Sequence, residues 1–171
     1  TDWVFVGWQT DGLNNMKDYA VLQVIDSLLG SGMSSRLFVN LREKEGLAYQ
    51  LGSSFNPHRL RGSFVVYIGT NPKTLDHSVE KLFQEINRLK KEEVSPSELQ
   101  QAKDKLLGQF VIGQETNLEK AVLLGNFEAT ERGYDFKNSY IELINSVSSS
   151  DIMNVANKYF NDNYVMSVVR K

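Results

Sequence analysis

Residues 28–55 read LLGSGMSSRLFVNLREKEGLAYQLGSSF, and the order of elements around this stretch decides the fold. Gly30-Ser31-Gly32 ends a helix and has the composition of a flexible hinge. A short helix is predicted over residues 34–43, with Leu37, Phe38 and Leu41 facing inward. Gly46 stands where a helix C-terminus needs a left-handed residue. A strand over residues 47–56 follows, and Asn56-Pro57-His58-Arg59 is a turn signal leading into a second strand at 62–70. Ser63-Phe64-Val65-Val66-Tyr67-Ile68 is apolar on both faces, so this strand should be internal to a sheet.

Upstream, Trp3-Val4-Phe5-Val6-Gly7-Trp8 is a strand, and residues 16–29 change to helical period through Ala20, Val21, Val24, Ile25, Leu28 and Leu29. Downstream the chain is mostly helical. Val79, Leu82, Phe83, Ile86 and Leu89 share one face. Ser95-Pro96-Ser97-Glu98 starts another helix: Ser95 can cap it and Glu98 can close a capping box. That helix runs to about Gln114, and Ser148 with Asp151 marks a later start. Tyr164–Val169 is a last strand. The expectation is an α+β domain: a mixed, mostly antiparallel sheet of about four strands, with several helices packed on one face.

The 171 residues fit one domain spanning 1–171. There is no cysteine, which removes disulfides, thiol nucleophiles and thiolate metal sites. The net charge of −2, with both signs interspersed, gives no basic surface for nucleic acid, and no apolar run reaches membrane-spanning length. A soluble protein is expected, cytoplasmic or periplasmic. The opening on a mid-domain strand reads as a piece excised from a longer chain.

Self-contained chemistry is hard to find. His58 falls on a hairpin tip, and His77 lies on a helix beside Asp76 and Glu80; neither has a partner at zincin spacing. There is no nucleophile elbow, Walker loop or dinucleotide fingerprint. Arg42 reads as a helix-end cation beside Glu43 or Glu45. Tyr49 shares strand parity with Leu47, Leu51 and Phe55, which makes it a core residue if alternation is regular.

The run GSGMSSRLF followed by LREKEGLAY changes that reading. It closely resembles the C-terminal domain of the pitrilysin/insulysin-type zinc metallopeptidases, the inverzincins, of the bacterial processing-peptidase kind. The resemblance extends over essentially the whole chain. It implies that the H-x-x-E-H zinc helix lies elsewhere, in another domain of the same chain or in a second subunit. No residue of this chain is then a metal ligand, and the isolated chain is inactive. It also implies an arginine and a tyrosine seven residues apart, which Arg42 and Tyr49 match. In those roles Arg42 holds the substrate backbone and Tyr49 hydrogen-bonds the oxyanion. Arg36 becomes a substrate-binding or interface residue, and Gly30 with Gly32 a hinge or chamber loop. The implied function is the substrate-binding half of a zinc peptidase that cleaves unfolded peptides in a closed chamber, as a homo- or heterodimer. The alternative is a non-catalytic recognition or scaffold subunit of the same family.

Overall fold

The computed structural model describes residues 1–170. Strand β1 (Asp2–Asp11) leads into helix α1 (Met16–Leu29). A π-helical segment (Phe38–Lys44) precedes β2 (Ala48–Asn56) and β3 (Arg61–Thr70). A 3₁₀ turn (Pro72–Thr74) opens the helical half: α2 (Leu75–Lys91), α3 (Pro96–Ile112), α4 (Asn117–Ala129), α5 (Phe136–Ser146) and α6 (Ser149–Tyr159). Strand β4 (Tyr164–Val169) closes the chain. No helix among the described residues is long and apolar enough to cross a membrane.

The strands form one four-stranded sheet in the order β2-β3-β1-β4, so the α+β expectation holds, and all three pairings are antiparallel. Internal β3 is the strand expected to be central. Alternation divides the sheet into two faces. Val4, Val6 and Trp8 of β1 lie opposite Ile68, Val66 and Phe64 of β3, and all six are buried under the helices. The other face carries Trp3, Phe5 and Tyr67, whose ring centroids are 5.9 to 6.4 Å apart.

Helix α1 is the core's axis. Leu22, Val24, Ile25 and Leu29 have no exposed surface, because the helix packs on β2 and is covered by α3, α5 and α6. Burying each such side chain contributes roughly 1.5–3 kcal/mol. Asn15 caps its start, accepting a hydrogen bond from the Asp18 amide at 3.2 Å. Asp11, at the end of β1, joins three elements: its Oδ2 accepts from Lys158 Nζ (2.8 Å) and from the Tyr159 hydroxyl (2.7 Å) of α6, and these two groups also reach Asp18 of α1.

Two local expectations change. The helix expected at 34–43 is a turn followed by a π-helical segment; the spacing of Leu37, Phe38 and Leu41 fits both winds and cannot distinguish them. Ser95 does cap α3, but Glu98 closes no capping box, because its carboxylate is drawn to Arg36. The expected Ser148–Asp151 start is a full capping box, as is the unanticipated pair Thr116 and Glu119 at α4.

Candidate functional site

Arg42 and Tyr49 lie on either side of one tight turn. Arg42 is exposed on the π-helical segment, and its guanidinium sits 5.0 Å from the centroid of the Phe38 ring. Such a contact holds the side chain, and among the described residues Arg42 forms no ion pair. The backbone then reverses at Gly46, whose φ of +64° favours glycine. The turn is closed by the Leu47 amide donating to the Leu41 carbonyl at 2.8 Å.

Two anchors fix this turn. Glu45 lies 2.9 Å from Lys81 Nζ and 3.3 Å from His77 Nε2, both on α2. The Lys81 ammonium, with a smaller contribution from His77, holds the Glu45 carboxyl below its usual range. His77 is thus a half-exposed helical residue between Glu45 and Glu80. Below the turn, the buried Thr70 hydroxyl donates to the Leu47 carbonyl at 2.6 Å and meets Ser78 Oγ at 2.8 Å.

Tyr49 owes its position to a β-bulge. Ala48 pairs with Thr70 and Gln50 with Gly69, so Tyr49 is an extra residue with no partner on β3. Past the bulge, Leu51 and Phe55 return to the buried face opposite Ile68 and Phe64. Regular alternation would have buried Tyr49 with them; instead it is 64% exposed. Bulges re-aim side chains in this way, and the parity argument fails for that reason. No hydrogen bond within the chain engages the Tyr49 hydroxyl among the described residues.

Arg36 stands apart from this surface. It is 8% exposed, and its Nε and Nη2 donate to the two carboxylate oxygens of Glu98 at 2.6 and 2.8 Å. This bidentate pair cross-links the segment ahead of Arg42 to the first turn of α3. Its Nη1 is buried without a partner. Within this chain Arg36 is a structural cross-link and offers no free fork to a ligand. Gly30 is buried at the end of α1, and a Cβ there would collide with the backbone nitrogen of Ser53 in β2. The Ser53 hydroxyl also donates to Asp26 of α1, whose carboxyl is pushed up by burial. Gly32 is exposed with φ +76°, and Ser35 closes the loop back onto its carbonyl at 2.7 Å. His58 is exposed at the β2–β3 hairpin tip.

Sequence reasoning missed Glu98 as the partner of Arg36, Thr70 as the anchor of Leu47, and the bulge. Long-range pairs leave no periodic trace, and the bulge shows only in the register, where two residues of β2 span one step of β3. Among the described residues, no group of three or more His, Asp or Glu side chains is placed to hold a metal ion.

Residues 1–106 match the family model described as the peptidase M16 inactive domain. An uncharacterized zinc protease of Rickettsia bellii is 29% identical over 97% of this chain and 40% of its own length. The zinc protease PqqE of Helicobacter pylori is 28% identical over 99% of the chain and 38% of its own length. The chain thus spans about 40% of the length of such relatives. A protease structure from Helicobacter pylori superposes with a TM-score of 0.88 at 25% identity, over 99% of this chain and 41% of that one. The M16 inactive domain from Pseudomonas fluorescens shares the fold, with a TM-score of 0.84 at 21% identity over 98% of this chain and 41% of that one. On its sequence and its fold, the chain belongs to the peptidase M16 family as an inactive domain.

Proposed function

We propose that this chain is the substrate-binding and transition-state-assisting domain of a zinc-dependent peptidase, acting on unfolded peptides held in a closed chamber. The observation that carries this reading is the Tyr49 hydroxyl: exposed, without a partner among the described residues, and turned out of the core by a bulge seven residues beyond the exposed Arg42.

The chemistry follows from charge development. As a peptide bond is hydrolysed, negative charge grows on its carbonyl oxygen, and a donor aimed there stabilises the transition state more than the ground state. Tyr49 supplies one O–H on a stiff lever, anchored through Leu47 to Thr70. Arg42 supplies permanently charged donors for a backbone carbonyl of the bound peptide. Zinc, the metal in the relatives' names, has no site among this chain's described residues and in this reading belongs to another domain or subunit. The partner is accordingly a zinc-binding domain of the same chain or of a second subunit.

The test is peptide hydrolysis by the full-length protein with zinc and any partner subunit. Tyr49→Phe is expected to lower kcat by about 10²-fold or more, the usual cost of one oxyanion donor, with little change in KM. Arg42→Ala is expected to raise KM as well. An unchanged kcat in Tyr49→Phe refutes the oxyanion role. A wild-type protein that is inert with zinc and partner moves the chain to the other reading, a recognition or scaffold subunit.

A further inference from the structure

At the far end of β2 from Tyr49, about 25 Å along the strand, two cavities adjoin beneath the β2–β3 hairpin tip. Their volumes are about 470 and 500 Å³, within the range of small-molecule sites, and they share Leu13, Arg59, Thr130 and Arg132 in their walls. Tyr19, Phe110, Phe127 and Tyr140 line the first.

Arg132 lines both cavities, and its guanidinium lies 4.8 Å from the Phe127 ring centroid, 5.2 Å from Phe136 and 5.8 Å from Tyr19. Its contacts are all neutral: Nε donates to Thr130 Oγ1 (2.9 Å), Nη2 to Asn126 Oδ1 (2.8 Å) and Nη1 to the Tyr19 hydroxyl (3.5 Å). A guanidinium has five N–H groups, so one on each terminal nitrogen remains without a partner among the described residues. No carboxylate among the described residues forms an ion pair with it. The nearby Glu131 is instead bound to Arg59 at 2.7 Å across the second cavity. Glu131 has a φ of +62° as the left-handed residue that ends α4: the Arg132 amide donates to the Phe127 carbonyl at 2.9 Å and the Glu131 amide to the Glu128 carbonyl at 3.0 Å. The Glu131 carboxylate thus faces Arg59, and among the described residues the Arg132 guanidinium, set among aromatic rings, has only neutral partners.

We propose that this double cavity binds a carboxylate carried on an aromatic or bulky apolar group. The carboxylate takes the two free N–H groups of Arg132, and the ring lies against Tyr19, Phe110 and Phe127. The C-terminal residue of a peptide and a free aryl-alkanoic acid share this chemistry. The proposal is independent of the peptidase reading, because it involves neither Arg42 nor Tyr49.

The test is calorimetric titration of the full-length protein with N-acetyl-phenylalanine and, separately, with its amide. The acid is expected to bind saturably, and the amide about tenfold more weakly or worse, because it lacks the charge-assisted pair. Arg132→Gln should reduce the acid to the level of the amide. Leu123→Trp, which fills the first cavity and keeps every charge, should abolish binding of both. Gly-Gly-Phe and 3-phenylpropionate distinguish the sources: tighter binding of the tripeptide assigns a peptide terminus, and equal or tighter binding of the propionate a free acid. Equal binding of acid and amide by wild type, or no binding of the acid at millimolar concentration, overturns the proposal without recourse to any variant.

Discussion

The pair Arg36–Glu98 allows an asymmetric test of how the segment carrying Arg42 is held. Its two members differ in exposure, 8% for the Arg36 side chain and 34% for Glu98. Arg36→Met removes the charge and keeps most of the volume, leaving Glu98 near water at the first turn of α3, where the helix N-terminus favours a carboxylate. Glu98→Gln leaves a buried guanidinium that cannot lose its proton, with one nitrogen already unpartnered. Breaking a buried pair costs roughly 3–5 kcal/mol when the survivor stays buried. Glu98→Gln should approach the lower end, about 3 kcal/mol, because the amide still accepts one hydrogen bond. Arg36→Met should cost about 1–2 kcal/mol, because Glu98 can rehydrate. The double substitution should be more stable than Glu98→Gln alone. Urea unfolding, with midpoints converted through m-values, gives all three numbers. If Glu98→Gln costs no more than Arg36→Met, or if both cost under about 0.5 kcal/mol, the pair is an ordinary surface contact and the reasoning fails.

Other expectations are narrower. Lys158 beside Asp11, with hydrogen bonds from Tyr159 and Asn15, holds the Asp11 carboxyl down at about 2 against an ordinary 3.8. Because the folded value is depressed, its stabilisation is complete above the unfolded value and is lost as pH falls toward about 2. The melting temperature of wild type should therefore fall more steeply between those values than that of Asp11→Asn; parallel curves would contradict this. Thr70→Val removes the buried donor to the Leu47 carbonyl and should cost about 1–3 kcal/mol in the same unfolding assay. Gly30→Ala forces a methyl into the β2 backbone and should cost at least about 2 kcal/mol, whereas Gly46→Ala has open space and only an unfavourable φ, costing about 1 kcal/mol. The reverse order would show that the α1–β2 junction yields easily.

Much of this architecture was legible because it is periodic. The apolar faces of α1 and α2 follow from spacing alone, the internal place of β3 from its being apolar on both faces, and the Ser95 and Ser148 starts from local cap chemistry. Arg42 and Tyr49 were legible only through family resemblance, since periodicity assigned the tyrosine to the core. The bulge that exposes it, the π-helical wind beneath Arg42, and the diversion of Glu98 to Arg36 all depend on partners that become neighbours only after folding. The Arg132 box was not anticipated for the same reason: its rings come from α1, α4 and α5, over a hundred residues apart in sequence at the extremes.

The bulge also has an arithmetic consequence. Strand β2 has nine residues, Ala48–Asn56, against eight paired positions, Ser63–Thr70, on β3. The surplus residue is Tyr49, so in length this side chain is an insertion into a strand that is otherwise in step. An inserted position is free of the covariation that binds a core residue to its neighbours, since Ala48, Leu51 and Phe55 keep their partners whatever stands between them. The chain can change or lose the chemistry at this position by altering one residue, without refitting the sheet that displays it.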